Sequence, residues 1–215
     1  MLRALRTGLL IATAGMLVTT GLIAVCGLVD VVDTGFDLKV LALGTLVFAI
    51  SGLVEELVFR VLVLGGLRRL LGSAAAALVL SSLAFAGVEL LTTDGTTPLS
   101  VTSTVLGGVM YGVAYLRSGS GWGRIWLPVG LHFGWNWVQG TILGFPVSGT
   151  TDYSGAFATL RTTGAQWLGG GDYGPEASVF SLVGRLAIIA LVVRATRQSS
   201  AGSSGTGSPR TWKRR

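Results

Sequence analysis

Long apolar runs alternate with short polar segments along the chain, and this alternation predicts membrane-spanning helices. A run of about 17 to 25 apolar residues is long enough for a helix to cross the hydrocarbon core of a bilayer. The candidate runs are residues 7–28, 38–54, 73–91, 98–116, 125–143 and 176–193. The second run is predicted to continue as a helix through Leu71, and Pro98 favours the first turn of the fourth helix. The glycine-rich connection 144–175 contains no run able to span.

The distribution of basic residues indicates how many times the chain crosses the membrane. Arginine and lysine accumulate on the cytoplasmic side of membrane proteins. Six crossings put these basic groups on one side: Arg3 with Arg6; Arg60, Arg68 and Arg69; Arg117 with Arg124; and the C-terminal tail. The acidic loop 30–37 and the turn at Asp94 then lie on the other side. A seventh crossing by residues 55–71 would break this alternation. We therefore predict an interfacial helix there, and both termini in the cytoplasm.

Composition agrees with a membrane protein. Half of the residues are hydrophobic and only 12% are charged, whereas soluble domains carry about 25% charged residues. We predict an all-α, polytopic membrane helix bundle in one domain, residues 1–195, followed by a disordered basic cytoplasmic tail, residues 196–215. The net charge of +6 comes largely from segment ends and the tail. It therefore indicates contact with the lipid bilayer rather than with nucleic acid.

Charged side chains within apolar helices are candidates for function, because each costs about 2.5–3.5 kcal/mol at the centre of a membrane helix. Glu55, Glu56 and Arg60 form a Glu-Glu-x-x-x-Arg motif. Glu56 and Arg60 lie one helical turn apart and can pair. Glu55 points elsewhere and suits a general base that activates water. The alternative is that both acids are ordinary charges at the lipid–water border.

Two further sites carry candidate chemistry. His132, the one histidine of the chain, lies one turn before Asn136. Together they can bind a metal or donate hydrogen bonds to a developing oxyanion, or they can simply join two membrane helices. Glu89 is another acid late in the third run. It is either functional or a polar end to that helix.

These motifs resemble the CPBP family, the CAAX protease and bacteriocin-processing intramembrane proteases, also called type II CAAX prenyl endopeptidase-like. The Glu-Glu-x-x-x-Arg motif at 55–60 and the His-x-x-x-Asn motif at 132–136, with its Leu-Pro-x-Gly-Leu lead-in at 127–131, carry the resemblance. It extends over about 38–193. The resemblance implies a hydrolase of the cell membrane, a metallo- or glutamate-type peptidase that cuts a membrane-associated peptide or protein substrate.

The resemblance also implies a role for each residue. Glu55 activates water, His132 and Asn136 hold the oxyanion, and Glu56 with Arg60 supports the site. Where the family has Phe-x-x-x-His, this chain has Phe85 followed by Glu89. A zinc or other divalent cation would use Glu55, Glu89 and His132 as ligands. Without a metal, Glu55 and Glu89 could share a proton as two nearby carboxylates.

The exchange at Glu89 supports a second interpretation, a catalytically impaired membrane protein that acts as a scaffold or immunity-type factor. A transporter is a third interpretation, but the chain has no evident internal repeat. The enzyme interpretation predicts that Glu55, Glu89, His132 and Asn136 converge on one water-accessible cavity. Helix lengths, in contrast, place Glu89 nearer the outer end of its helix than a site shared with Glu55 would require.

Overall fold

The computed structural model of the chain describes residues 1–93, 96–119 and 121–202, and the described part is mostly helical. Its α-helices are α1 (Leu2–Val25), α2 (Leu38–Glu56), α3 (Gly65–Leu71), α4 (Ala74–Leu91), α5 (Pro98–Arg117), α6 (Trp126–Trp137), α7 (Gln166–Gly169) and α8 (Val179–Gly202). Leu57–Leu64 and Val138–Ile142 are π-helical, and Gly121–Ile125, Gly171–Tyr173 and Pro175–Ala177 are 3₁₀ turns. The strands are β1 (Val29–Thr34) and β2 (Ala158–Thr162).

Three helices of the described part, α1, α4 and α5, are long and apolar enough to cross a membrane. They correspond to the first, third and fourth predicted runs, and Pro98 occupies the first turn of α5 as predicted. Apolar side chains of α1 and α4, such as Leu10 and Leu83, stay exposed on the protein surface. Lipid solvates such a surface, so the protein is a membrane protein. Six crossings and an interfacial helix stay predictions.

The Glu-Glu motif lies within one unbroken helical rod, as predicted. Asp37 begins the rod, because its carboxylate accepts hydrogen bonds from the N–H groups of Lys39 and Val40 at 2.8 and 3.0 Å. From α2 the rod passes into the π-helical segment and then into α3. Gly72 ends it with a φ of 65°, a left-handed value that glycine adopts readily. Ser73 caps α4, and α4 returns along the rod.

This hairpin changes the expected depth of Glu89. At 1.5 Å per residue, Glu55 lies about 24 Å before Leu71, and Glu89 lies about 22 Å after Ala74. The two acids therefore lie at nearly the same level. The expected separation was wrong because it placed Glu55 at the cytoplasmic end of its span, whereas the predicted continuation through Leu71 belongs to the same rod and puts Glu55 well before the turn at Gly72.

Glycines allow α1 to pack closely against α6. A Cβ added at Gly130 would overlap the carbonyl oxygen of Leu5, and one added at Gly8 would overlap that of Leu127. Small residues at such crossings let two helix backbones approach each other. α1 therefore braces the helix that carries His132.

Two strands depart from the all-α prediction. β1 and β2 pair antiparallel, from Val29 opposite Thr162 to Thr34 opposite Ala158. Both lie in polar loops that the hydropathy pattern left without structure, because strands this short have a weak apolar signal and depend on their partner. The pairing attaches the long glycine-rich connection to the loop after α1.

The C-terminal helix extends beyond the predicted domain boundary. α8 continues to Gly202, whereas we expected the tail to begin at residue 196. Residues 203–215 of the predicted tail lie outside the described residues.

Candidate active site

A buried ion-pair network forms where α2 passes into the π-helical segment. Oε2 of Glu56 accepts a hydrogen bond from Nε of Arg60 at 3.0 Å, which confirms the predicted pair. Oε1 of the same carboxylate lies 3.0 Å from Nδ1 of His132. All three side chains are buried. The network therefore joins the rod to α6 and uses both oxygens of Glu56.

Aromatic rings fix the plane of the His132 imidazole. Tyr111 of α5 stacks on it at 4.5 Å between ring centroids, with 15° between the planes. Phe85 of α4 meets it edge-on at 6.0 Å. The Arg60 guanidinium lies 5.2 Å from the Phe85 ring and 5.7 Å from the Tyr111 ring, within the range of cation–π attraction. The imidazole is thus held by rings as well as by Glu56.

Glu55 differs from its neighbour in having an unused oxygen. Its Oε2 lies 3.7 Å from Nε2 of His132, which is too long for a direct hydrogen bond. This oxygen is buried, and among the described residues it has no hydrogen-bond partner. The side chain as a whole is 27% exposed. Because a buried carboxylate oxygen without a partner is costly, the position is suited to receive a proton donor such as water.

Glu89, His132 and Asn136 line one cavity. The cavity leaves about 20 Å³ for the centres of water molecules, which is room for about one water. Its other lining residues are Phe85, Thr104, Tyr111, Ser148, Glu176 and Arg185. Glu55 adjoins this space through His132. Three of the four candidate residues therefore line one cavity, and Glu55 is near it through its 3.7 Å approach to His132 without lining it.

The far wall of the cavity contains a second buried ion pair, which the sequence analysis did not identify. Oε2 of Glu176 accepts a hydrogen bond from Nη2 of Arg185 at 3.1 Å. Oε1 of Glu176 accepts two more, from the backbone N–H and the hydroxyl of Ser148, at 2.6 and 3.1 Å. Both charged side chains are buried. A signal was available, because these two charges bracket the first half of the last apolar run.

Arg185 connects this second network to the rest of the bundle. Its Nη1 donates to the carbonyl oxygen of Ser103 at 3.0 Å, and its guanidinium lies 4.7 Å from the Trp135 ring. Trp135 belongs to the same helix as His132. A Cβ added at Gly107 would overlap the guanidinium, so glycine makes room for it on α5.

Tyr173 contacts the wall of the cavity from the loop side through Thr104. Its hydroxyl lies 3.0 Å from Oγ1 of Thr104. Burial raises the pKa of Tyr173, and the negative charge of Glu176 adds to the shift. Tyr173 therefore stays protonated at neutral pH and acts as a neutral hydrogen-bonding group.

The predicted metal ligands do not converge into a metal site in this fold. Zinc sites use at least three protein ligands. Within residues 1–93, 96–119 and 121–202, no group of three His, Cys, Asp or Glu side chains is placed to hold a metal ion. Nδ1 of His132 is already engaged by Glu56. A divalent cation here stays a prediction.

The acidic side chains and His132 of this site lie on largely apolar helices. Residues 37–138 match the model of the type II CAAX prenyl endopeptidase Rce1-like family, a peptidase family. The match contains Glu55, Glu89, His132 and Asn136, and it ends before Glu176. It confirms the resemblance over just under half of the chain. No curated protein and no solved structure matches the chain.

Proposed function

We propose that this protein is a membrane-embedded endopeptidase that hydrolyses a peptide bond of a membrane-associated polypeptide. One observation carries the proposal: the free, buried Oε2 of Glu55 lies 3.7 Å from Nε2 of His132, beside the cavity. The family match supports peptidase chemistry and a substrate held at the membrane. Glu89 and Asn136 line the same cavity as His132 and supply two further polar groups for the reaction.

Glu55 is the proposed general base. A water placed off the line between Glu55 Oε2 and His132 Nε2 reaches both atoms at about 2.8 Å. As the water oxygen attacks the scissile carbonyl carbon, its proton passes to Glu55 and the carbonyl π electrons move to oxygen. The tetrahedral intermediate then collapses, the C–N bond breaks, and Glu55 returns the proton to the departing amine. The products are a carboxylic acid and an amine.

His132 and Asn136 are the proposed oxyanion donors. Because Glu56 is ion-paired with Arg60, it stays ionised and accepts a hydrogen bond from Nδ1–H of His132, which leaves Nε2 facing Glu55. In the imidazolium form Nε2–H donates to the oxyanion, and the Asn136 amide lies one turn further along the same wall. Donors fixed before reaction need no reorganisation when the charge develops. Glu56 and Arg60 are positioning residues in this scheme.

Glu89 is proposed to share a proton with Glu55 and to orient the attacking water. It lines the cavity, and within the described part of the chain it forms no ion pair. Two carboxyl groups that share one proton can hold a water between them, as two-acid sites do.

The test uses purified full-length protein and a library of lipid-tethered peptides in H₂¹⁸O. Wild type should release fragments that carry one ¹⁸O in the new carboxylate, and Glu55→Gln should not. Asp152→Asn, which removes an exposed carboxylate that does not line the cavity, is the matched control and should cleave as wild type does. Equal cleavage by wild type and Glu55→Gln would refute the proposal.

The second candidate function is a non-catalytic scaffold or immunity-type factor. Glu89 supports it, because this carboxylate stands where the resembled family has histidine. Glu89→His distinguishes the two functions. A gain of cleavage in Glu89→His over an inert wild type would show that the natural protein is impaired, whereas a loss would show that Glu89 takes part in the reaction.

We further infer a cell-membrane location with six crossings and both termini cytoplasmic. The distribution of arginines supports this topology. Cys26 is the one cysteine of the chain, so a Cys26→Ala background allows single-cysteine labelling in intact cells. Arg3→Cys should resist an impermeant reagent and Asp172→Cys should react. The reverse pattern would contradict the topology.

A further inference from the structure

A cleft lies at the end of the bundle where α3 and α5 terminate. Two adjoining pockets of about 320 and 290 Å³ share Val61, Arg69, Tyr115 and Arg124, and therefore form one space. Arg68 and Ile125 also line it. We call these six residues the basic cleft. It is separate from the cavity that contains His132, because the two share no lining residue.

The basic cleft has three positive charges and, among the described residues that line it, no compensating acid. No lining residue is Asp or Glu. The sequence contains no acid between Glu56 and Glu89, and none between Asp94 and Asp152. Among the ion pairs of the described residues, none involves Arg68, Arg69 or Arg124. Guanidinium groups that share a cleft repel one another, so a bound anion lowers the electrostatic energy.

One of these guanidinium groups is fixed in advance. Nε of Arg124 donates to the carbonyl oxygen of Tyr115 at 3.3 Å, and its guanidinium stacks 4.7 Å from the Tyr115 ring. Arg68 and Arg69 are exposed and can turn toward a ligand. A preorganised group loses less conformational entropy on binding than a free one. The cleft therefore combines one fixed cation with two adjustable ones.

We propose that the basic cleft binds a phosphate group. Guanidinium matches phosphate oxygens with paired hydrogen bonds, which makes arginine the preferred side chain for such ligands. Val61 and Ile125 give the cleft an apolar wall beside the arginines. That wall suits the glycerol and first acyl carbons of an anionic phospholipid. Free phosphate would use the arginines alone.

The experiment measures lipid binding to purified full-length protein by native mass spectrometry. Phosphatidylglycerol, phosphatidylcholine and inorganic phosphate are titrated separately. We expect phosphatidylglycerol to bind wild type at least tenfold more tightly than phosphatidylcholine. The double variant Arg69→Gln/Arg124→Gln should lose at least tenfold of that affinity. The matched control Arg3→Gln/Arg6→Gln removes the same charge outside the cleft and should lose less than twofold.

Each outcome decides the proposal. If both double variants weaken binding equally, the attraction is a diffuse property of the basic surface and the proposed site is wrong. If inorganic phosphate binds as tightly as phosphatidylglycerol and is lost in the cleft variant, the site stands and its ligand is free phosphate. Because Arg124 also contacts backbone, Arg69→Gln alone is the second variant. Wild-type affinity in Arg69→Gln would also overturn the proposal.

Discussion

Two buried ion-pair networks face each other across the cavity, and they use their carboxylates differently. In the first, Glu56 is saturated by Arg60 and His132, while its neighbour Glu55 keeps a free oxygen. In the second, Glu176 accepts from Arg185 and twice from Ser148. A saturated carboxylate can hold neighbouring groups in place but has little capacity left for a substrate or water. The comparison therefore favours a chemical role for Glu55 and the first network (the first wall of the cavity). It favours a supporting role for Glu176 and the second network (the second wall).

The largest expected loss of folding stability comes from breaking the second network. Arg185→Met leaves Glu176 buried without its cation, and such a loss costs about 3–5 kcal/mol. Denaturant unfolding in detergent micelles, followed by circular dichroism, measures this change. The double variant Glu176→Gln/Arg185→Met removes both charges and should recover most of the loss. If the single variant unfolds like wild type, the second wall does not support the fold.

A smaller effect, now on turnover, is expected from the first network. His132→Asn should lower kcat by about 10²–10³-fold, the usual result of removing one oxyanion donor. Steady-state cleavage of the best peptide from the library measures it. Unchanged kcat with a raised KM would mean that His132 binds substrate but does not stabilise the transition state.

The close packing of α1 against α6, the helix that carries His132, is the basis of a third prediction. Gly130→Ala should destabilise the protein by about 1–3 kcal/mol, because the added methyl group forces α1 away from α6. Gly21 of α1 has no atom within 4 Å of an added Cβ. Gly21→Ala is therefore the matched control and should be neutral or stabilising by about 0.5–1 kcal/mol. Equal melting temperatures for both variants would contradict the close packing.

The smallest effect is expected at Ser148, whose φ of 46° is left-handed. Ser148→Gly relieves the backbone cost but loses the hydroxyl hydrogen bond to Glu176, so the two changes should nearly cancel within about 1 kcal/mol. Ser148→Ala keeps the backbone cost and loses the bond. It should therefore melt below Ser148→Gly, and the reverse order would contradict the strained conformation.

The Glu56–Arg60 pair of the first network could be predicted from sequence because it is local, whereas its contact with His132 is tertiary and was not predicted. Glu56 and Arg60 are one turn apart, and the apolar runs placed the ends of α4 and α5 within one residue. The second wall depends on tertiary contacts. Ser148 lies in an irregular loop, and the loop position is set by Glu176, far along the chain. No periodic pattern encodes such a contact.

The common level of Glu55 and Glu89 disagreed with the estimate from helix lengths for a different physical reason. The apolar pattern marks where a helix is buried in lipid, but it does not mark where the helix ends. Gly72 and Ser73 end the rod and begin α4, and this turn sets the level of both acids. When residues are counted from this turn and not from the ends of the apolar runs, Glu55 and Glu89 come to nearly the same level.

The measurement that tests the central claim most directly is the cleavage rate of Glu55→Gln against wild type on one lipid-tethered peptide. Glutamine keeps the size of the side chain but cannot accept the water proton. We predict a loss in kcat of about 10²–10⁴-fold, the range for general bases, with little change in KM and in melting temperature. A Glu55→Gln variant that cleaves at the wild-type rate would contradict the account.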